Sequence, residues 1–209
     1  MKKILIIAFA ILAVAEVFGQ SFEGKITYQN MYKSKLPNVT DQQFTSMMGE
    51  KQDYVIKNGD YKSSANGTMF LWQLYVNKDN RIYNKMSNSE TILWNDASVN
   101  TDSVLKVEIN KQAIEILGYK CDEVILTCKS GIQKYYFNSK LKVDISLYKK
   151  HLYGNWYDYL KAAKALPLKS IIDTEQFTFT SIATEVKEMK IDEKEFQLPE
   201  NAKTAKSPY

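Results

Sequence analysis

The sequence predicts a mainly β fold in which an antiparallel sheet carries two helices. Three observations support this prediction: short apolar runs separated by turn residues, alternation of apolar and polar side chains within runs, and two segments with helical spacing. Asn58-Gly59 and Asn66-Gly67 separate such runs, and this dipeptide tolerates the two successive positive φ angles of a tight hairpin turn. The strands that these turns join are therefore expected to run antiparallel.

The strands are predicted from the period of two that a half-buried strand shows. In residues 22–32, Phe22, Ile26 and Tyr28 share one side while charged and polar residues occupy the other. Later strands are predicted at 104–109, 123–128, 132–138 and 141–147.

Two helices are predicted by their start signals and spacing. Thr40 and Gln43 have the spacing of a capping box, so a short amphipathic helix is expected over residues 41–50. A second helix is expected over residues 153–165, where apolar residues recur at spacings of four and three and a proline closes the run: Trp156, Leu160, Ala163 and Pro167.

The N-terminus has the pattern of a secretory signal peptide. Two lysines precede an uncharged run from Ile4 to Ala15, which is too short to cross a bilayer. Cleavage is predicted after Gly19, so the protein is expected in the periplasm or the extracellular space. The predicted organisation is a signal peptide at 1–19, a single β domain at 20–200 and a polar C-terminal tail at 201–209.

The charge distribution argues against nucleic acid as a partner. The formal net charge is +4, and the lysines are interleaved with acidic residues rather than gathered in a basic stripe. We therefore expect no nucleic-acid binding.

The two cysteines could be a disulfide, a metal site, a redox pair or two small buried side chains. Cys121 and Cys128 are seven residues apart in LGYKCDEVILTC. On one continuous strand they would lie roughly 23 Å apart and face opposite sides, whereas a disulfide needs Cα atoms within about 7 Å. A disulfide would require a sharp reversal between them. Unpaired, buried thiols are the preferred prediction, with no metal or cofactor.

No catalytic motif is apparent in the sequence. His151, in KKHLYG, is the single histidine, and it has no general-base partner beside it, so a solvated loop position is expected. Patterns such as G-x-S-x-G and H-E-x-x-H are absent. The sequence therefore predicts a non-enzymatic protein.

Three short motifs resemble those of known envelope proteins: F-x-G-x-I-T-Y at 22–28, I-L-G-Y-K-C at 116–121 and F-x-L-P at 196–199. Together with the signal peptide, they resemble the secreted GLPGLI-like family and related uncharacterised families. These families look similar to the carriers and acceptors of outer-membrane lipoproteins (LolA/LolB-like). The G-L-P-G-L-I string itself is absent, and Ala165-Leu166-Pro167-Leu168-Lys169 stands where the related families would have Pro-Leu-Lys.

The resemblance implies a fold and, by analogy, an activity. The implied fold is a strongly curved, unclosed antiparallel sheet, a half-barrel of about eight to eleven strands, with the two helices across its concave face. The implied activity is that of a carrier, although a fold does not fix function.

The aromatic content indicates where a ligand would bind. Aromatic residues make up 12% of the chain, and TMFLWQLYV is apolar on both sides if extended, so both of its faces must be covered. One face could line a cavity, or both could be plain core. A lipid or acyl chain is the expected ligand, with predicted lining residues Phe70, Trp72, Leu74 and Trp94 and a mobile lid at Met47 and Met48.

The alternative function is a structural or interaction module of the cell envelope with a self-filled core and no ligand. The partners considered are thus a lipid or another apolar ligand, an envelope protein, and peripheral contact with a membrane.

Overall fold

The computed structural model describes residues 21–208, so the predicted signal peptide lies outside the described residues. The two α-helices are α1 (Asp41–Met48) and α2 (Trp156–Ala163). Twelve strands are present in the described part of the chain: β1 (Gly24–Ser34), β2 (Lys51–Lys57), β3 (Asp60–Ala65), β4 (Phe70–Val76), β5 (Arg81–Met86), β6 (Ile92–Asp96), β7 (Val104–Ile116), β8 (Tyr119–Cys128), β9 (Gly131–Lys142), β10 (Ala165–Asp173), β11 (Phe177–Glu188) and β12 (Thr204–Lys206).

The strands form one open sheet in the order β12-β6-β5-β4-β3-β2-β1-β11-β10-β9-β8-β7. All neighbours pair antiparallel except β12, which pairs parallel with β6. The predicted fold class, a mainly β curved and unclosed sheet with two helices, is confirmed, and the sheet has one strand more than expected. Its two edges are the long strand β7 and the short strand β12.

The main core lies on the face of the sheet that carries the helices, which we call the inner face. Alternate residues of neighbouring strands meet there: Ile26 pairs with Tyr54, and Tyr54 pairs with Ser63. Helix α2 is buried against this face through three of its eight residues: Tyr159, Leu160 and Ala163. Helix α1 is held mainly by Phe44, whose ring lies 5.3 Å from the ring of Tyr32 on β1.

Local sequence signals set both ends of α1 and the C-terminal end of α2. The predicted capping box is present, because the Thr40 hydroxyl accepts from the Gln43 amide at 3.2 Å and the Gln43 side chain accepts from the Thr40 amide at 2.9 Å. Helix α1 ends at Met48, because Gly49 takes a φ of +96°. Helix α2 is shorter than predicted because Lys164 turns to a φ of +56° and strand β10 begins at Ala165.

The opposite face of the sheet, which we call the outer face, carries a smaller core. The C-terminal segment from residue 191 to 202 crosses strands β2 to β6 and contributes Ile191 and Phe196 to this core. Lys57 anchors the segment by donating to the Ile191 carbonyl at 2.9 Å and by pairing with Glu193 at 3.4 Å. The F-x-L-P motif therefore covers apolar surface.

The predicted polar tail at 201–209 is not simply a tail. Thr204–Lys206 forms strand β12 beside β6, although all three residues remain exposed. The backbone amide of Ile92 on β6 donates to the Lys203 carbonyl at 2.8 Å. Because such backbone hydrogen bonds do not depend on side chains, polar residues can form β12 here. Among the described residues, no helix is long and apolar enough to cross a membrane.

Candidate functional site

A cavity of about 190 Å³ lies in the inner face, between the Trp156 side of α2 and the aromatic cluster that Phe44 of α1 forms with Tyr32 and Phe177. Phe179 joins this cluster, 4.9 Å from Tyr32, and also lines the cavity. Six strands and α2 contribute to its wall: Tyr28, Gln52, Tyr54, Tyr61, Ser63, Gln73, Trp156, Pro167, Ser170, Phe179 and Ser181.

The cavity exists because small side chains occupy inner-face positions where a larger residue would fill the space. Ser63 on β3, Ser170 on β10 and Ser181 on β11 all line it, and Ser170 pairs directly with Ser181. Side chains of this size cannot reach the residues of α2 above the sheet. At 190 Å³ the space far exceeds the roughly 10–15 Å³ that one water needs.

A row of stacked tyrosines crosses the inner face, and its first two members, Tyr54 and Tyr61, line the cavity. The rings of Tyr54 and Tyr61 lie 5.2 Å apart, and those of Tyr61 and Tyr75 are also 5.2 Å apart. Tyr148 continues the row at 6.2 Å from Tyr75. Such stacking favours a defined ring orientation, so Tyr54 and Tyr61 present ordered aromatic surface to the cavity.

Two hydrogen-bond donors in the wall have no partner among the described residues. The Tyr54 hydroxyl and Trp156 Nε1 are both buried and unbonded, whereas the Tyr28 hydroxyl donates to the Pro167 carbonyl at 2.6 Å. Burial raises the pKa of Tyr54 well above its usual value, which keeps its proton in place. A buried unpaired donor costs free energy, so each of these two groups would gain from a hydrogen-bond acceptor.

The remaining polar groups of the wall are uncharged. Gln52 accepts from the Asn30 amide group at 3.1 Å, and Gln73 donates to Asn84 at 3.0 Å. None of the described residues that line the cavity carries a charge at neutral pH. A carboxylate or ammonium ligand would therefore lie in the cavity without a counter-charge, which is strongly unfavourable.

His151 lies next to this wall and is buried, so the prediction of a solvated loop position is wrong. Its side chain is enclosed by the rings of Tyr61, Tyr75 and Trp156, at centroid distances of 5.9, 4.3 and 6.4 Å. Its Nε2 lies 2.9 Å from the Tyr61 hydroxyl, and its Nδ1 has no partner within the described range. Burial lowers the pKa of His151 to about 3, so the ring is neutral.

Three of the predicted lining residues lie on the outer face, away from the cavity. Trp72, Leu74 and Trp94 belong to the small outer core beneath the C-terminal segment. The reason is the period of two in β4: Tyr75 and Gln73 face inward, so Trp72 and Leu74 face outward. Trp94 packs against the guanidinium group of Arg81, 3.9 Å from its ring centroid.

The other three predicted residues also lie outside the cavity wall. Phe70 is half-buried at the start of β4 and pairs with Met86. Met47 and Met48 are half-buried at the end of α1, where the Met47 carbonyl accepts from the Met69 amide at 3.0 Å. The loop between β3 and β4 packs so tightly here that a Cβ on Gly67 would lie 2.5 Å from that carbonyl. This contact ties the end of the predicted lid to the sheet.

The cysteines are free and buried, as predicted. They do not face opposite sides, because the burial pattern of β8 changes phase between Cys121 and Val124, and both thiols join the main core. Burial raises the pKa of both thiols, that of Cys128 to about 11, so neither is an activated nucleophile. No group of three potential metal ligands occurs within residues 21–208.

Sequence reasoning missed the tyrosine row and the serines. A partial signal was present, because Tyr61 and Tyr75 pair directly across β3 and β4, while Tyr54 lies diagonally from Tyr61 and pairs with Ser63. The inward-facing serines give no such signal, because an isolated serine in a strand is more often solvent-exposed.

Comparisons with known proteins find likenesses of structure only. No protein-family model and no curated protein matches the chain, so membership of the GLPGLI-like family remains a prediction. PNGF-II is 14% identical over 90% of this chain with a TM-score of 0.48, and this chain spans 32% of its length. The lipoprotein LppX of Mycobacterium tuberculosis is 9% identical over 81% of this chain and 89% of its own, with a TM-score of 0.33.

A LolA superfamily protein of Nitrosomonas europaea is 7% identical over 88% of this chain and 93% of its own, with a TM-score of 0.32. At TM-scores this low, these likenesses carry no inference about what this chain binds.

Proposed function

We propose that this protein is an exported, non-enzymatic binding protein of the periplasm or extracellular space whose inner-face cavity holds an uncharged amphipathic ligand, such as an acyl chain with an ester or hydroxyl group. The observation that carries the proposal is the pair of unpartnered donors, the Tyr54 hydroxyl and Trp156 Nε1, in an uncharged wall of aromatic and small polar residues. A carbonyl or hydroxyl oxygen of the ligand would supply the acceptor that these donors lack.

The apolar part of the ligand is supported by the aromatic lining. Each CH₂ group that leaves water for such a surface contributes about 0.8 kcal/mol before ordering costs. The cavity is smaller than the roughly 300–1,000 Å³ of a typical drug-sized pocket, so it would enclose part of a lipid rather than a whole one. The uncharged wall favours an acyl ester over the corresponding free fatty acid.

The test uses the three tryptophans, of which only Trp156 lines the cavity. A variant with Trp72→Phe and Trp94→Phe keeps Trp156 as its single indole. Titration of the delipidated variant with a monoacylglycerol should quench its emission saturably. The free fatty acid of the same chain length should bind at least tenfold more weakly.

A pair of neighbouring serines gives the matched control. Ser63→Leu fills the cavity from the inner face, whereas Ser64→Leu adds the same side chain on the outer face, where Ser64 pairs with Trp72. Binding should be lost in the first variant and retained in the second. Equal binding by both folded variants, or no saturable binding of either lipid by the parent protein, would contradict the proposal.

The alternative, an interaction module with a self-filled core, is supported by a different observation. The edge strand β7 exposes three apolar side chains: Leu105, Val107 and Ile109. Binding through this edge would not require the cavity.

A further inference from the structure

The edge strand β7 exposes an apolar strip that ordinary edge strands avoid. Leu105 is 64% exposed, Val107 46% and Ile109 47%, and they occur at every second residue. The sheet order gives β7 a single neighbour, β8, so its other edge offers unpaired backbone groups within the described chain. An exposed, regular and apolar edge is a template for pairing with another strand.

The charges on β7 select a second copy of the same strand. Lys106 and Glu108 flank Val107 symmetrically, and Lys106 Nζ lies 2.9 Å from Glu108 Oε1 on the exposed surface. In an antiparallel pair centred on Val107, Lys106 of each copy faces Glu108 of the other. The two Val107 side chains then meet, and Leu105, at the register shift between Val104 and Lys106, comes beside Ile109 at the end of the pair. Opposite charges and apolar side chains directly across a strand pair both stabilise it.

We infer that two copies of this protein associate through antiparallel pairing of their β7 strands, with the two-fold axis at Val107. Because the same edge is used by both copies, the contact is closed and stops at a dimer. The far edge of the sheet ends in β12, which has only three residues, and is a poor template for further addition. The inference does not depend on a ligand in the cavity.

One other centre on β7 would also match charges, and the structure disfavours it. Pairing about Ala113 would bring Lys111 opposite Glu115. However, the ladder between β7 and β8 is irregular from Asn110 to Ile114, and Gln112 has a φ of +48°. From Lys106 to Asn110 the ladder is regular, so that segment can add a strand.

The experiment is a charge exchange followed by sedimentation velocity over a range of concentrations. Lys106→Glu gives an all-acidic segment and Glu108→Lys an all-basic one, so each variant alone should dissociate about tenfold more readily than the parent. An equimolar mixture of the two should form a heterodimer as tight as the parent, because every pair is then opposite in charge. The double exchange should restore the homodimer.

A matched control lies on the same strand. Glu115→Lys makes the same change in charge as Glu108→Lys, but residue 115 falls outside the paired segment, so the parent dimer should persist. Circular dichroism and melting temperature establish that each variant is folded. A parent that stays monomeric at its highest soluble concentration would overturn the inference. So would a dimer that neither single exchange weakens, or a mixture no tighter than its components.

Discussion

Acidification should destabilise this protein through His151, because a buried neutral histidine must remain uncharged in the folded state. The folded pKa is about 3, whereas the unfolded pKa is near the ordinary 6.5. The unfolded chain therefore takes up a proton as the pH falls through 6.5 and the folded protein does not. The stability linked to this group is fully present above pH 6.5 and is lost progressively as the pH falls towards 3.

The magnitude follows from the two pKa values. At pH 5, which is about 1.5 units below the unfolded pKa, proton uptake by His151 stabilises the unfolded state by about 2 kcal/mol. The rings that surround His151 belong to Tyr61, Tyr75 and Trp156, and none changes charge in this range; burial raises the pKa of Tyr75 to about 12. His151 is the only histidine of the chain, so no other imidazole contributes.

The assay compares urea unfolding at pH 7.5 and pH 5.0 for the parent and for His151→Gln. Glutamine can still accept a hydrogen bond from Tyr61 but does not titrate. Carboxylate effects are common to both proteins and cancel in the difference. Between the two pH values the parent should lose about 2 kcal/mol more than the variant. Equal losses in the two proteins would refute the assignment of His151 as a buried neutral group.

Three further predictions concern the cavity, the outer core and the thiols. In the ligand-free protein, Tyr54→Phe should leave the free energy of unfolding unchanged or raise it, because the Tyr54 hydroxyl has no partner. Tyr28→Phe should lower the free energy of unfolding by about 1–3 kcal/mol, because the Pro167 carbonyl loses its donor. Denaturant unfolding measures both, and a larger loss for Tyr54→Phe than for Tyr28→Phe would contradict these hydrogen-bond assignments. Phe196→Ala should cost about 3 kcal/mol in the same assay, since the ring is 92% buried; a loss below about 1 kcal/mol would show that the C-terminal segment seals nothing. Alkylation should modify neither cysteine in the folded protein and both after unfolding without reductant, and mass spectrometry that finds no free thiol in the unfolded monomer would contradict this.

The features predicted correctly from sequence are those set by local chemistry. Asn58 and Gly59 turn with φ angles of +49° and +91° between β2 and β3, because few other residues accept that geometry. Thr40 and Gln43 cap α1 because the capping box needs only neighbours in the chain.

The features predicted wrongly depend on distant contacts. Alternation in β4 separates Trp72 and Leu74 from Tyr75, but the period alone does not say which side meets the helices and which meets the C-terminal segment. The environment of His151 is likewise set mainly by Tyr61 on β3 and Tyr75 on β4, which are far from it in sequence. The cavity itself depends on Ser63 and Ser181, which are far apart in sequence and line the same cavity only in the folded sheet.

The central claim, that the inner-face cavity binds an uncharged amphipathic ligand, is tested most directly by native mass spectrometry of protein purified without detergent or denaturant. The parent protein and Ser64→Leu should each carry an additional mass that organic extraction removes and that fragments as an acyl compound, while Ser63→Leu should carry none. Parent protein that is free of any added mass and gains none on incubation with acyl esters, or a Ser63→Leu variant that carries as much as the parent, would contradict the claim.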